Sequence, residues 1–182
     1  SARQIPPEQL PAVLPDLLEH AAGINVTIPY KQDVIPFMTA LRGRAELYRS
    51  VNTIHVRPEG VYGYNTDADG FLCALEGGHV PLQGRVVILG CGGVGRTFAC
   101  EAALAGCEIV NAVRAGSLPH AEELQRFVAA IAPSAPYRLT TLEALDEETQ
   151  LIDLLINATP VGMYPHSDGM PVSDRVLART AA

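Results

Sequence analysis

Val86-Val87-Ile88-Leu89 is an unbroken apolar run that stops at Gly90-Cys91-Gly92-Gly93-Val94-Gly95, ahead of a second apolar stretch from Thr97 to Ala105. A short continuous apolar run suits a strand covered on both faces, which points to a parallel sheet flanked by helices. Glycines between such a strand and a helix have a specific use. The first makes the tight turn, the second lets the backbone approach a pyrophosphate, and the helix N-terminus offers amide donors and the positive end of its dipole. The segment is written Gly-x-Gly-Gly-x-Gly, which we set apart from the usual Gly-x-Gly-x-x-Gly spacing as a subfamily mark. Gly90 and Gly92 are the expected cofactor-binding residues of this loop.

The residues that follow repeat the grammar. Glu108 to Val113 reads as a strand, Ala121 to Ile131 as a helix, and Tyr137 to Leu139 and Leu154 to Asn157 as further strands. Strands alternating with helices imply right-handed crossovers and a doubly wound parallel sheet over 84–182. Before the polar, glycine-rich stretch from Gly77 to Gly84, the pattern is looser. Leu10, Val13, Leu14, Leu17 and Leu18 fall at helical spacing, with Pro11 and Pro15 expected to delay or kink the helix. Ile24 to Ile28 reads as a strand, Val34 to Leu41 as a helix weakened by Pro36, Val51 to Val56 and Val61 to Tyr64 as strands around a turn, and Asp67 as the start of a helix. The expected fold class is therefore α/β: an N-terminal α/β domain over 1–77, then a Rossmann-like domain over 84–182.

Composition narrows the partners. A net charge of −7 with no basic run argues against nucleic acid, though a local cationic pocket for a small anion survives it. No apolar stretch reaches the roughly 20 residues of a membrane span, and Ser1 opens no signal peptide. Cys73, Cys91, Cys100 and Cys107 show no metal-ligand spacing, so free thiols, a cytoplasmic setting and no metal are expected. His20, His55, His79, His120 and His166 are scattered, and each reads as a surface or packed histidine.

Two features bear on chemistry. Where the second strand of the glycine-loop domain ends, Asn111-Ala112-Val113-Arg114-Ala115-Gly116-Ser117 carries no acid to bind a ribose 2′-hydroxyl. Arg114 can pair with a 2′-phosphate and stack on adenine, so NADP is expected, with NAD as the alternative. Lys31 is the single lysine among 13 basic residues. Arginine stays protonated at any working pH, whereas lysine can give and take a proton.

Three polar clusters surround that lysine in sequence: Asn25-Val26-Thr27-Ile28-Pro29-Tyr30-Lys31, Ser50-Val51-Asn52-Thr53 and Gly63-Tyr64-Asn65-Thr66-Asp67. Their amides and hydroxyls suit a polyhydroxylated ligand, although Asn-Thr-Asp is also ordinary helix capping. Taken in order with the glycine loop and Asn157-Ala158-Thr159-Pro160-Val161-Gly162-Met163, these motifs resemble the shikimate dehydrogenase family. The resemblance implies an N-terminal substrate domain, a C-terminal NADP-binding Rossmann domain and an active site in the cleft between them. It implies reversible reduction of 3-dehydroshikimate to shikimate, in aromatic amino-acid biosynthesis, by a cytoplasmic monomer or homodimer. Residue by residue, it implies Lys31 and Asp67 as the catalytic pair, which also touch substrate. Thr27 and Asn52 become contacts to substrate hydroxyls, Gly90, Gly92, Gly93 and Val94 the pyrophosphate loop, and Asn157, Ala158 and Thr159 the segment beside the nicotinamide ribose.

The family pattern also contains an N-terminal Ser-x-Ser strand and a C-terminal segment that this sequence does not span, so the expectation is an incomplete set of substrate contacts. Cys91 stands where the family commonly has alanine, and Val113-Arg114-Ala115 replaces its usual Asn-Arg-Thr. Two alternatives share the motifs: a quinate/shikimate dehydrogenase using NAD or NADP, and a non-catalytic nucleotide- or metabolite-binding regulator on the same scaffold.

Overall fold

The computed structural model describes residues 3–165 and 167–182; Ser1, Ala2 and His166 lie outside the described residues. The chain divides into two compact units, Ser1–Asp67 and Ala68–Ala182.

In the first unit, a 3-10 turn at Pro7–Gln9 leads into helix α1, Leu10–His20. Pro11 falls in the first turn, where a missing N–H costs nothing, and the helix continues through Pro15. Leu10, Leu14 and Leu18 form its buried stripe and pack with Val34, Ala45, Val51 and Ile54. Strand β1 is Gly23–Asn25, β2 is Ala40–Leu41, helix α2 is Arg44–Tyr48, β3 is Thr53–Arg57 and β4 is Gly60–Tyr64. The sheet order is β1-β3-β4-β2, antiparallel except for the β2–β4 pair.

Two expectations fail here. The strand expected over Ile24 to Ile28 ends at Asn25, because Pro29 and the turns that follow pull the chain off the sheet. Val34 to Leu41 forms no α-helix: it gives a 3-10 turn, Ile35–Phe37, and then β2. Pro36 removes the donor a longer helix would need, and the sheet takes the residues after it.

Helix α3, Asp67–Gly77, starts on the last residue of the first unit, and its remaining residues belong to the second. The second unit then alternates β5 (Arg85–Leu89), α4 (Gly93–Leu104), β6 (Glu108–Val113), α5 (Leu118–Ile131), β7 (Tyr137–Thr141), α6 (Leu142–Glu147), β8 (Leu154–Asn157) and α7 (Asp174–Ala178). Its sheet is parallel throughout, in the order β7-β6-β5-β8. This is the Rossmann-like arrangement that the alternating pattern implied.

Every residue of β5 is buried, Arg85 included. The Arg85 guanidinium meets Glu148 at 2.6 Å, and its backbone N–H donates to Asp153 at 2.7 Å. Within this unit Phe71 of α3 stacks on Phe98 of α4, with ring centroids 4.1 Å apart. Helix α4 begins at Gly93 rather than at Thr97, so the glycine loop is shorter than the sequence suggested and its last residues are helical. Helices α2, α6 and α7 were not expected; each spans only five or six residues, too few for a period to declare itself.

Candidate functional site

The first unit gathers its polar residues around one carboxylate. After β1 the chain runs through tight turns, with the Tyr30 N–H donating to the Thr27 carbonyl at 3.0 Å and the Val34 N–H to the Tyr30 carbonyl at 3.1 Å. The Lys31 carbonyl accepts from the Val51 N–H at 2.7 Å, which ties this turn to the segment entering β3. Lys31 is thereby held with only 8% of its surface exposed. Its Nζ donates to Asp67 Oδ2 at 2.6 Å.

The other carboxylate oxygen is also occupied. Asn52 Nδ2 donates to Asp67 Oδ1 at 2.9 Å and to Thr66 Oγ1 at 3.0 Å, while Asn52 Oδ1 accepts from the Thr66 N–H and the Thr53 hydroxyl. Asn65 completes the frame: its Nδ2 donates to the Ser50 carbonyl, and its Oδ1 accepts the Asp67 N–H, both at 3.0 Å. Asp67 is therefore both the first residue of α3 and a carboxylate held by two side chains. Lys31, Asn52 and Asp67 come together as expected from the sequence. Thr27 is exposed at the turn before Pro29, and no bond joins it to that network among those described. Asn65 and Thr66 were quoted only as part of a motif; their bonds make them part of the frame. A polar side chain immediately ahead of a helix that can bond its own backbone two residues on was the available signal.

In the second unit the glycine loop is shaped by three glycines with different tasks. Gly90 has φ +95°, a left-handed conformation that favours glycine, and a Cβ there would lie 3.0 Å from Thr159 Cγ2. Gly92 has open space beside it, so the loop's outer side is free for a ligand to approach. A Cβ on Gly95 would lie 2.7 Å from the Gly90 carbonyl oxygen, so only glycine lets α4 sit this close to the turn. The standard Gly-x-Gly-x-x-Gly spacing is thus present at Gly90, Gly92 and Gly95, with Gly93 an addition. Our separation of this loop from the common pattern is corrected, and Gly95 joins the residues that matter. Gly93 and Val94 open α4, where first-turn N–H groups have no intrahelical acceptor.

Arg114 is exposed at the end of β6 and precedes a 3-10 turn, Ala115–Ser117. Asn157 closes β8. Its Oδ1 accepts from the Thr159 N–H and hydroxyl at 3.0 and 2.7 Å, and its Nδ2 donates to the Val161 carbonyl at 2.9 Å. The side chains of Asn157 and Thr159 are spent on their own loop, and that loop lies against the glycine turn, with the Ala158 N–H donating to the Leu89 carbonyl at 3.0 Å. Gly90, Thr159 and Ala158 are neighbours.

In the sequence Asn111 stands only as part of a segment without an acid, yet it is fully buried in β6 and bonded to the glycine turn. A lone amide inside an apolar strand should have been the signal, since a buried polar group demands partners. Among the described residues no three His, Cys, Asp or Glu side chains gather in a way that could hold a metal ion. No helix of the described residues is long and apolar enough to cross a membrane.

An all-parallel strand–helix sheet whose first turn is this glycine loop defines the second unit as Rossmann-like, in a chain whose first unit carries an ordered Lys–Asp–Asn cluster. Comparison with known proteins shows which family the chain is similar to. Residues 1–54 match the shikimate dehydrogenase substrate binding domain. The shikimate dehydrogenase (NADP(+)) of Methanopyrus kandleri is 38% identical over 179 residues, 94% of this chain and 60% of that one. The crystal structure of shikimate 5-dehydrogenase from Thermus thermophilus in complex with NADP(H) and shikimate superposes with a TM-score of 0.75, at 31% identity, over 94% of this chain and 60% of that one. Quinate dehydrogenase from Corynebacterium glutamicum in complex with NAD gives a TM-score of 0.76, at 27% identity, over 94% of this chain and 61% of that one. The family resemblance read from the motifs is borne out: the chain is related to the shikimate dehydrogenases through both of its units. It spans between half and three fifths of the length of the curated relatives it matches.

Proposed function

We propose that this chain is the substrate-binding and NADP-binding part of a shikimate dehydrogenase, which interconverts 3-dehydroshikimate and shikimate in aromatic amino-acid biosynthesis. The observation that carries the reading is the Lys31–Asp67 contact at 2.6 Å, built by residues 1–77 on the scaffold whose first 54 residues match the family's substrate domain. Residues 84–182 serve as the cofactor domain.

The loop fits a dinucleotide. Gly92 leaves its outer side open, Gly95 brings α4 against the turn, and the first-turn amides of α4 at Gly93 and Val94 suit phosphate oxygens. Arg114, exposed at the end of β6, suits a 2′-phosphate, and Ala158 and Thr159 border the turn. When bound, the nicotinamide supplies the hydride chemistry.

The chain's own residues manage the proton. As the neutral amine, Lys31 Nζ takes the proton of the reacting hydroxyl in oxidation; as the ammonium, it gives a proton back in reduction. Asp67 Oδ2 fixes the position of Nζ, and Asn52 fixes Asp67 through Oδ1. Thr27 and Asn52 contact the ring hydroxyls; a hydroxyl that reaches Asn52 displaces the exposed Thr66 Oγ1 from its amide. The free thiols of Cys73, Cys91, Cys100 and Cys107 suit a cytoplasmic setting.

The test is NADPH oxidation on adding 3-dehydroshikimate, with the reverse reaction run on shikimate and quinate with NADP and NAD. Turnover of shikimate with NADP is the expected result. Preference for quinate with NAD, favoured by the likeness to the Corynebacterium glutamicum enzyme, would move the assignment to the second reading. Binding of both ligands without turnover would leave the regulator.

A further inference from the structure

Asn111 sits in the middle of β6, paired in register with Ile88 of β5, and is 0% exposed. An uncharged amide in that position costs free energy unless each of its groups is bonded. All are. Nδ2 donates to the Ile88 carbonyl at 2.9 Å and to the Gly90 carbonyl at 2.8 Å. Two carbonyl acceptors leave no doubt which end of the amide is nitrogen, so Oδ1 needs a donor, and the Tyr137 hydroxyl supplies it at 3.2 Å. Tyr137 is itself fixed on β7, where its carbonyl accepts from Gln125 Nε2 of α5 at 3.0 Å.

One of those bonds reaches outside the strand. The Gly90 carbonyl opens the peptide linking Gly90 to Cys91, and in a planar trans peptide the C=O and the N–H point in opposite directions. Holding the Gly90 oxygen against the buried Asn111 therefore turns the Cys91 N–H away from the sheet interior. The same oxygen lies where Gly95 approaches it, so the peptide is held from the α4 side as well.

We infer that Asn111, braced by Tyr137, is a positioning residue for nucleotide binding: it sets the Gly90–Cys91 peptide so that the Cys91 N–H joins the first-turn amides of α4 in presenting donors to a diphosphate. The inference rests on the dinucleotide reading above and adds a residue to it. It assigns Asn111 no contact with the ligand.

The experiment measures dissociation constants of NADPH, adenosine 2′-monophosphate and shikimate for the whole chain and for Asn111→Leu and Tyr137→Phe. Adenosine 2′-monophosphate lacks the diphosphate and serves as the control. Asn111→Leu should weaken NADPH about tenfold, the scale of one hydrogen bond to a charged group, and leave the other two within about twofold. Tyr137→Phe keeps both carbonyl bonds and only frees the brace, so NADPH should weaken about threefold; it carries the test alone if the leucine variant does not fold. Equal weakening of NADPH and adenosine 2′-monophosphate would reduce Asn111 to a purely structural role and overturn the inference. So would unchanged NADPH binding in both variants. Failure of the unaltered chain to bind NADPH at all would instead bring down the dinucleotide reading, and the inference with it.

Discussion

At the scale of single residues, the ion pair of Lys31 and Asp67 is not there chiefly for stability. A largely buried pair recovers little more than the cost of taking two charges out of water. Its worth is position, because Asp67 is held at both oxygens and through its backbone N–H. Lys31→Ala should lower kcat by about 10²–10⁴-fold, the usual range for acid–base help, with a much smaller rise in the KM for shikimate. Lys31→Arg should fail too, since its guanidinium cannot cycle the proton. Steady-state kinetics on both variants checks this; normal turnover in either removes the lysine from proton transfer. Asn65→Ala tests the frame rather than the chemistry. It strips partners from the Ser50 carbonyl and the Asp67 N–H, and urea unfolding should show a loss of about 1–3 kcal/mol. A stability unchanged from the parent would mean those bonds are readily replaced.

The elements differ in how much of themselves they declare. β5 and β6 were legible because strands buried on both faces leave near-continuous apolar runs, and β6 and β8 have the bounds read for them. β2 was not, because two residues cannot show an alternation and Pro36 made the stretch before it resemble a broken helix. The site shows the same contrast. Lys31, Asn52 and Asp67 stood out as motif residues, whereas Asn111 lay inside a strand that looked merely apolar. Asn157 and Thr159 were legible as residues, but their bonds to one another only appear once the loop after β8 has its shape.

A consequence in pH follows from the packing of α4 and β7. Burial pushes the Cys100 thiol from 9.0 up to about 12, with Arg96 pulling weakly the other way, and burial likewise pushes the Tyr137 phenol up from 10.0. Both groups then hold their protons more tightly folded than unfolded. Stability is in full force below their ordinary values and falls as the pH climbs from about 9 toward 12. Urea midpoints recorded from pH 8 to 11 should decline, and the decline should be shallower in Cys100→Ala. A midpoint that rises over this range would contradict the burial of both groups.

For the molecule as a whole, two compact units with separate cores imply that two ligands should leave separate imprints. Binding to the folded form stabilises it by an amount set by ligand concentration over Kd, about 2.7 kcal/mol at a hundredfold excess. Shikimate should slow amide exchange chiefly in the turns after β1 and in β3, β4 and the start of α3. NADP should slow it at the end of β5, the glycine loop and the first turn of α4. Exchange followed by mass spectrometry with each ligand alone distinguishes the two patterns. Protection of a single region by both ligands would mean that the two units do not divide the ligands between them.

The solitary lysine turns the protein into its own reporter. An amine-selective acylating reagent can modify this sequence only at Lys31 and at a free chain terminus, so the mass added to one peptide reads the state of one side chain. Tucked against Asp67, that amine should label slowly. Replacing Asp67 with asparagine should speed the labelling, and a ligand seated over the pair should slow it, so occupancy can be followed without any turnover.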